Sequence, residues 1–239
     1  MFSVKVITAF PDMFPGPLSK SVVGRALYKK FWDIDVIDIR SFTTDKRQSI
    51  DDRPYGGGSG MLIKPEVLAS AIDYILKPGM RILNTSPRGR LLSYDYAKDI
   101  ARSKNIILIC GHYEGIDQRV LDFYNVEDIS IGDYVLSGGE LAAMVIIDSC
   151  VRLLPGVLKN DNSLDFESFT CCRNASALLE YNQYTRPLIW RNMRVPDILL
   201  SGHHDNIDKW RIGVAEMITK QRRSDLWQIY RFNKDNCND

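Results

Sequence analysis

The run Ile106-Ile-Leu-Ile-Cys-Gly-His-Tyr-Glu-Gly-Ile-Asp-Gln-Arg119 decides the fold class. Its first five residues are wholly apolar and rich in isoleucine, as in a strand covered on both faces. A glycine-bearing loop follows at once. Upstream, apolar and β-branched runs at residues 4–10, 34–39 and 80–85 read as further strands. Helical patterns at 19–30, 65–76 and 94–103 separate them. Ser19 is the expected cap of the first helix. In the second, Pro65 suits the first turn, and Val67, Leu68, Ala71, Ile72 and Ile75 share one face. Strands alternating with helices predict βαβ units and an α/β fold with a mostly parallel sheet.

Downstream the texture changes. Residues 140–154 hold 11 apolar residues in 15 and read as a buried helix stopped by Pro155-Gly156. Residues 159–176 are polar and aperiodic, a linker. From Ala177 the chain is expected to be helical and richer in aromatics, and residues 209–231 carry six basic residues against Glu216 and Asp225. The expected organisation is a domain at 1–158, a flexible linker at 159–176 and a small helical domain at 177–239.

With 239 residues, 45% hydrophobic and 26% charged, the chain can build a sizeable core, which excludes disordered and fibrous classes. Its 31 basic and 30 acidic residues leave a net charge of +1, so any nucleic-acid surface must be local. Of five cysteines, Cys110 and Cys150 read as small core hydrophobes, and the adjacent Cys171 and Cys172 suit neither a redox pair nor a zinc clip. This usage points to a reducing compartment. No signal peptide or membrane-length apolar run is present, so a cytoplasmic protein without a membrane partner is expected.

Chemistry concentrates in glycine-bearing loops. Tyr55-Gly-Gly-Gly-Ser-Gly-Met61 could cradle an anion or simply be flexible. Asn84-Thr-Ser-Pro-Arg-Gly-Arg90, Cys110–Arg119 and Ser130-Ile-Gly-Asp-Tyr-Val-Leu-Ser-Gly-Gly-Glu140 follow strands or run into the buried helix. Three such loops at strand ends are how an open α/β sheet binds a ligand. Tyr113, Glu114, Asp117, Arg119, Asp133 and Tyr134 converge there, although Asp117 is better read as a helix cap or surface charge. Walker A, GxGxxG, GxSxG and HExxH patterns are all missing. His203-His204 lacks the clustering of a metal site. In the last third Arg186, Arg191, Arg194, Lys209 and Arg211 interleave with aromatics, which suits either an RNA surface or a solvated basic face. Trp210 and Trp227 read as core.

Taken in order, these motifs resemble the bacterial tRNA (guanine-37-N1)-methyltransferases of the SPOUT, or trefoil-knot, class. The resemblance spans essentially the whole chain. It rests on Tyr55–Met61 with Lys64-Pro65-Glu66, on Ser86-Pro-Arg-Gly89, and above all on Cys110–Arg119 and Ile129–Glu140. Arg152-Leu-Leu-Pro-Gly-Val-Leu158, Tyr184-Thr-Arg-Pro187, Leu199–His203 and Trp210-Arg211 complete it.

The resemblance implies a deep trefoil knot, S-adenosyl-L-methionine as methyl donor, a dependence on Mg2+, a tRNA substrate gripped by the C-terminal domain, and a homodimer with active sites at the subunit interface. It assigns the cofactor to Thr85, Ser86, Pro87, Gly111, Tyr113, Glu114, Ile131, Gly132, Asp133, Tyr134, Val135, Leu136 and Gly138. It assigns catalysis to Arg152, which would stabilise charge on the guanine O6, and to a general base in the linker. The family places an aspartate there. The matching residue here is Glu167, in Asp165-Phe-Glu-Ser-Phe169, with Asp165 as the fallback. No ligand cluster in the sequence places Mg2+. Alternative readings are a SPOUT methyltransferase acting on another RNA position, and a non-catalytic RNA-binding protein that kept the knot.

Overall fold

The computed structural model describes residues 1–158, 167–170 and 177–236. They divide into two compact units, Met1–Leu158 and Lys159–Asp239. The strands of the first unit are β1 (Phe2–Thr8), β2 (Trp32–Asp38), the two-residue pair β3 (Asp51–Asp52) and β4 (Leu62–Ile63), β5 (Arg81–Leu91), β6 (Asn105–Cys110) and β7 (Glu127–Ser130). Five of them form one sheet in the order β2-β1-β6-β5-β7, with every neighbouring pair parallel. The helices are α1 (Ser21–Tyr28), α2 (Pro65–Ile75), α3 (Tyr94–Arg102), α4 (Gln118–Phe123) and α5 (Glu140–Val151).

The apolar run in β6 follows from its central place. Ile106, Leu108 and Cys110 enter a core with Val23, Ile100 and Ile147 of α1, α3 and α5. Ile107 and Ile109 enter a second core with Leu68, Ile72 and Leu121 of α2 and α4. Alternate side chains of a strand point to opposite faces, so a strand covered on both faces has no polar position. Each fully buried Ile or Leu stabilises the fold by roughly 1.5–3 kcal/mol. Val67, Leu68, Ala71, Ile72 and Ile75 of α2 are all buried, and Cys110 and Cys150 lie in the core as free thiols.

Some local readings need correction. The first helix begins at Ser21 without a side-chain cap, because the Ser19 hydroxyl instead donates to the Gly16 carbonyl at 2.8 Å. β5 runs past Thr85 to Leu91, and the buried helix α5 ends at Val151. Neither β7 nor α4 stands out in the sequence. β7 is four residues long and opens with two acids.

The second unit holds a hairpin of β8 (Ile189–Trp190) and β9 (Met193–Arg194), then α6 (His204–Arg222) and α7 (Ser224–Asn236). After a 3-10 turn at Asp197–Leu200, α-helix starts at residue 204 rather than soon after 177, and the hairpin takes part of the stretch between. Ala177, Leu178, Tyr181, Ala215 and Tyr230 form its core, with Trp210 and Trp227 packed against them.

Candidate functional site

β6, β5 and β7 are neighbours, so the loops leaving their C-terminal ends meet. They enclose a cavity of about 530 Å³, within the roughly 300–1,000 Å³ usual for small-molecule sites. Of the thirteen expected cofactor residues, twelve line it: Thr85, Ser86 and Pro87 from β5; Gly111, Tyr113 and Glu114 after β6; Ile131, Gly132, Tyr134, Val135, Leu136 and Gly138 after β7. Asp133, in the same loop, does not. Asn84, Arg88, His112, Gln118, Ser137 and Gly139 also line the cavity and were not singled out. Arg88 and His112 stand inside motifs already noted. So does Gln118, within the run at 110–119.

Backbone geometry shapes the wall. Ile129 of β7 pairs with both Thr85 and Arg90 of β5, so residues 86–89 bulge out between the two pairings. That bulge carries Ser86, Pro87 and Arg88 to the cavity. Gly89 closes it against the β7 backbone, where an added Cβ would fall 2.3 Å from the Ile129 nitrogen. On the other side the Gly139 amide donates to the Gly111 carbonyl at 2.8 Å, and the Gly111 amide reaches the Thr85 hydroxyl at 3.3 Å. His112 and Gly138 form an antiparallel bridge. Directly behind, the Thr8 hydroxyl donates to the buried Glu140 carboxylate at 2.7 Å, fixing the first turn of α5.

The wall carries unsatisfied polar atoms. The Asn84 amide nitrogen donates to Asp128 at 2.7 Å, while its Oδ1 is buried without a partner, as is Nδ1 of His112. A buried polar atom without a hydrogen bond is costly, and a ligand is one way to satisfy it. The His112 ring lies between Phe10 and Tyr113, 4.9 Å from each. The Tyr113 hydroxyl titrates above the usual tyrosine value, through burial and then the charge of Asp51. Burial, then Glu140, pushes the Cys110 thiol well up, which suits packing rather than nucleophilic chemistry.

The motif at 55–61 borders the cavity without lining it. Its base is joined to the wall by the Glu114 amide on the Met61 carbonyl at 3.0 Å. Tyr55 is 97% exposed. Asp117 is the cap of α4, accepting from the Arg119 amide, and Arg119 holds its carboxyl below the usual range.

Of the expected catalytic pair, Arg152 does not line the cavity. Arg152 sits at the C-terminal cap of α5. It is ten residues, about 15 Å of helix, from Ala142, the α5 residue that does. Glu167 lies in the second unit, in a half-buried turn whose Thr170 amide donates to its carbonyl. Asp165 lies outside the described residues. His203 and His204 are exposed at the start of α6. Among the described residues no group of three or more His, Cys, Asp or Glu could hold a metal ion, and no helix is long and apolar enough to cross a membrane.

The family model described as tRNA (Guanine-1)-methyltransferase TrmD matches residues 2–229. A tRNA (guanine-N(1)-)-methyltransferase of Anaplasma marginale (strain St. Maries) is 53% identical over 223 residues, covering 92% of each chain. One of Ehrlichia canis is 53% identical over 226 residues, 94% of each. One of Pelagibacter ubique is 48% identical over 233 residues, 98% of this chain and 100% of the relative.

Proposed function

The chain belongs to the tRNA (guanine-1)-methyltransferase family, and on that premise we propose that it transfers a methyl group from S-adenosyl-L-methionine to N1 of guanine-37 in tRNA. Methylation of a tRNA guanine at N1 is the activity of the family. The observation that carries the finer reading is the cavity at the ends of β5, β6 and β7. Glycines bring backbone donors and acceptors close, and Leu121, Ile129 and Ile131 supply apolar surface, a combination that suits a nucleoside. Asn84 and His112 have hydrogen-bonding capacity to spare. Glu114 offers a carboxylate for the ammonium of the amino-acid end. When bound there, S-adenosyl-L-methionine supplies an electrophilic methyl on a sulfonium.

The protein's own groups must handle the guanine. Its N1 carries a proton and is a poor nucleophile, so a base must take that proton as the methyl moves. Glu167 is assigned this role, and its carboxylate ends the step protonated. Negative charge grows on O6, where the Arg152 guanidinium stabilises it. The magnesium implied by the resemblance has no donor set among the described residues, and no step is routed through it.

A homodimer with shared sites is supported by α5. Leu141, Val145, Asp148 and Arg152 recur at helical spacing on its outward side, and Leu141 and Val145 are 52% and 45% exposed. Val135 of the cavity loop is 83% exposed. Apolar side chains displayed together in this way mark an interaction surface. A second copy on this face accounts for a catalytic Arg152 that is remote from its own cavity. The trefoil knot is the fold the family implies for this parallel sheet.

The test is transfer of labelled methyl to tRNA transcripts with guanine or adenine at position 37. Label is expected only on the guanine form, with N1 located by a block to reverse transcription. Glu167→Gln is expected to lower turnover roughly 10²-fold or more with donor affinity unchanged, and Glu167→Asp to remain active. Donor binding without transfer to any tRNA would overturn the enzymatic reading.

A further inference from the structure

The hairpin of β8 and β9 presents large side chains to solvent. Every residue from 182 to 194 is exposed. Trp190 pairs with Met193, and the Val195 amide donates to the Leu188 carbonyl in the same register. Side chains alternate along a strand, so Leu188, Trp190, Met193 and Val195 share one face. Trp190 and Met193 are 55% and 60% exposed. A lone two-stranded hairpin is marginal in water unless something packs on it.

The turn is equally telling. Arg191 and Asn192 both have positive φ, 49° and 65°, the signature of a tight two-residue hairpin turn. Glycine or asparagine fits such positions, whereas an arginine at the first is strained. Strain of this kind is a pointer to function. Here it holds the Arg191 guanidinium 4.8 Å over the Trp190 ring.

Charge identifies the occupant. Residues 1–158 carry 19 basic and 19 acidic residues, whereas 177–236 carry ten basic against seven acidic. Between 182 and 196 there are three arginines, Arg186, Arg191 and Arg194, and no acid. A second copy docking hairpin to hairpin would set these cations against each other, as a two-fold contact repeats the same patch on both sides. An RNA with an unstacked base matches both features. Aromatic and guanidinium planes stack with bases, and the arginine N–H groups donate to phosphate oxygens.

We propose that this hairpin is a stacking platform for an unpaired base of the tRNA, with Trp190 as the base-contacting residue and Arg191 bridging base and phosphate. The inference rests on the reading of tRNA as substrate. It adds a contact made by residues other than those assigned to cofactor binding and catalysis.

The experiment measures tRNA affinity of the full-length protein over a range of salt, for wild type, Trp190→Ala, Trp190→Phe and Arg191→Ala, with sedimentation run in parallel. Trp190→Ala is expected to weaken binding about tenfold or more, the scale of a lost base–aromatic stack. Trp190→Phe restores most of it. Arg191→Ala lowers the slope of log affinity against log salt by about one. Donor affinity and sedimentation stay unchanged in all three. Wild-type tRNA affinity in Trp190→Ala overturns the proposal. A change in its oligomeric state also does so, by making the face a protein contact. If wild-type protein binds no tRNA at all, the proposed function has failed instead.

Discussion

At Gly139 a single methyl group has no room. A Cβ built there would lie 2.0 Å from the Thr85 hydroxyl, 2.7 Å from the Gly111 nitrogen and 2.9 Å from the Cys110 Cα. Two of those neighbours are backbone, which cannot swing aside. Contrast Gly57, in the exposed glycine run, where a Cβ would meet nothing within 4 Å. Both sit in glycine-rich motifs, and the sequence does not tell them apart. One glycine is there for close approach of two chain segments, the other for a positive φ in an open loop. Gly139→Ala is therefore expected to cost about 1–3 kcal/mol of stability, the usual penalty of overpacking. It should also weaken donor binding, since Gly111 and Gly138 move with it. Thermal melting and calorimetric titration with S-adenosyl-L-methionine test both effects, and wild-type values in the two measurements would remove Gly139 from the architecture of the site.

Among the elements, β7 is one that the sequence hid. Its four residues, Glu127 to Ser130, offer no run of apolar side chains. Placement beside β5 is aided by a side-chain pairing made across the sheet. The Arg81 guanidinium holds Glu127 through two bonds, at 2.6 and 2.7 Å, and reaches Asp99 of α3 at 2.8 Å. Tyr96 of α3 donates its hydroxyl to the same Glu127 carboxylate at 3.2 Å. Arg81 therefore holds the Glu127 carboxyl below its ordinary value of 4.5. A carboxyl depressed in the folded state stabilises the fold above its unfolded value, and that contribution disappears as pH falls through the folded value. Glu127→Gln is thus expected to melt below wild type at pH 7, with the gap closing on acidification below about pH 4. A gap that persists unchanged into acid would show that the pairing does not act through charge.

The whole molecule poses a question that one chain does not answer by itself. The cavity is walled by the loops after β5, β6 and β7, while Arg152 stands at the far end of α5 and Glu167 lies in the second unit. If two copies share each site, two differently broken chains can repair one another. Arg152→Ala protein and Gly132→Val protein, each inactive alone, are expected to regain turnover after subunit exchange, because one site of the mixed dimer then has both an intact cavity and an intact arginine. Sedimentation checks that the mixed species forms. Mixed dimers that form and yet stay inactive would place each complete site within one chain.

The apolar run of β6, the face of α2 and the buried core of α5 were legible from local pattern, because burial on one or two faces imposes a period that sequence records. The loops at 84–90, 110–119 and 130–140 were legible as ligand loops, since three glycine-bearing loops together at strand ends are how an open α/β sheet binds a ligand. The motif order supplied the catalytic candidates by resemblance to a family. Which strands stand side by side was not legible. The order β2-β1-β6-β5-β7 comes from long-range pairing, and it alone makes the three loops neighbours around one cavity. The bulge at 86–89 was hidden as well, since it depends on Ile129 pairing twice with β5. So was the exposure of Trp190, because solvent access depends on which distant segments pack against the hairpin. Sequence determined the elements and the chemistry they carry because those are set by near neighbours along the chain. The tertiary structure decided which of them meet, because contacts between distant segments depend on how the sheet orders its strands.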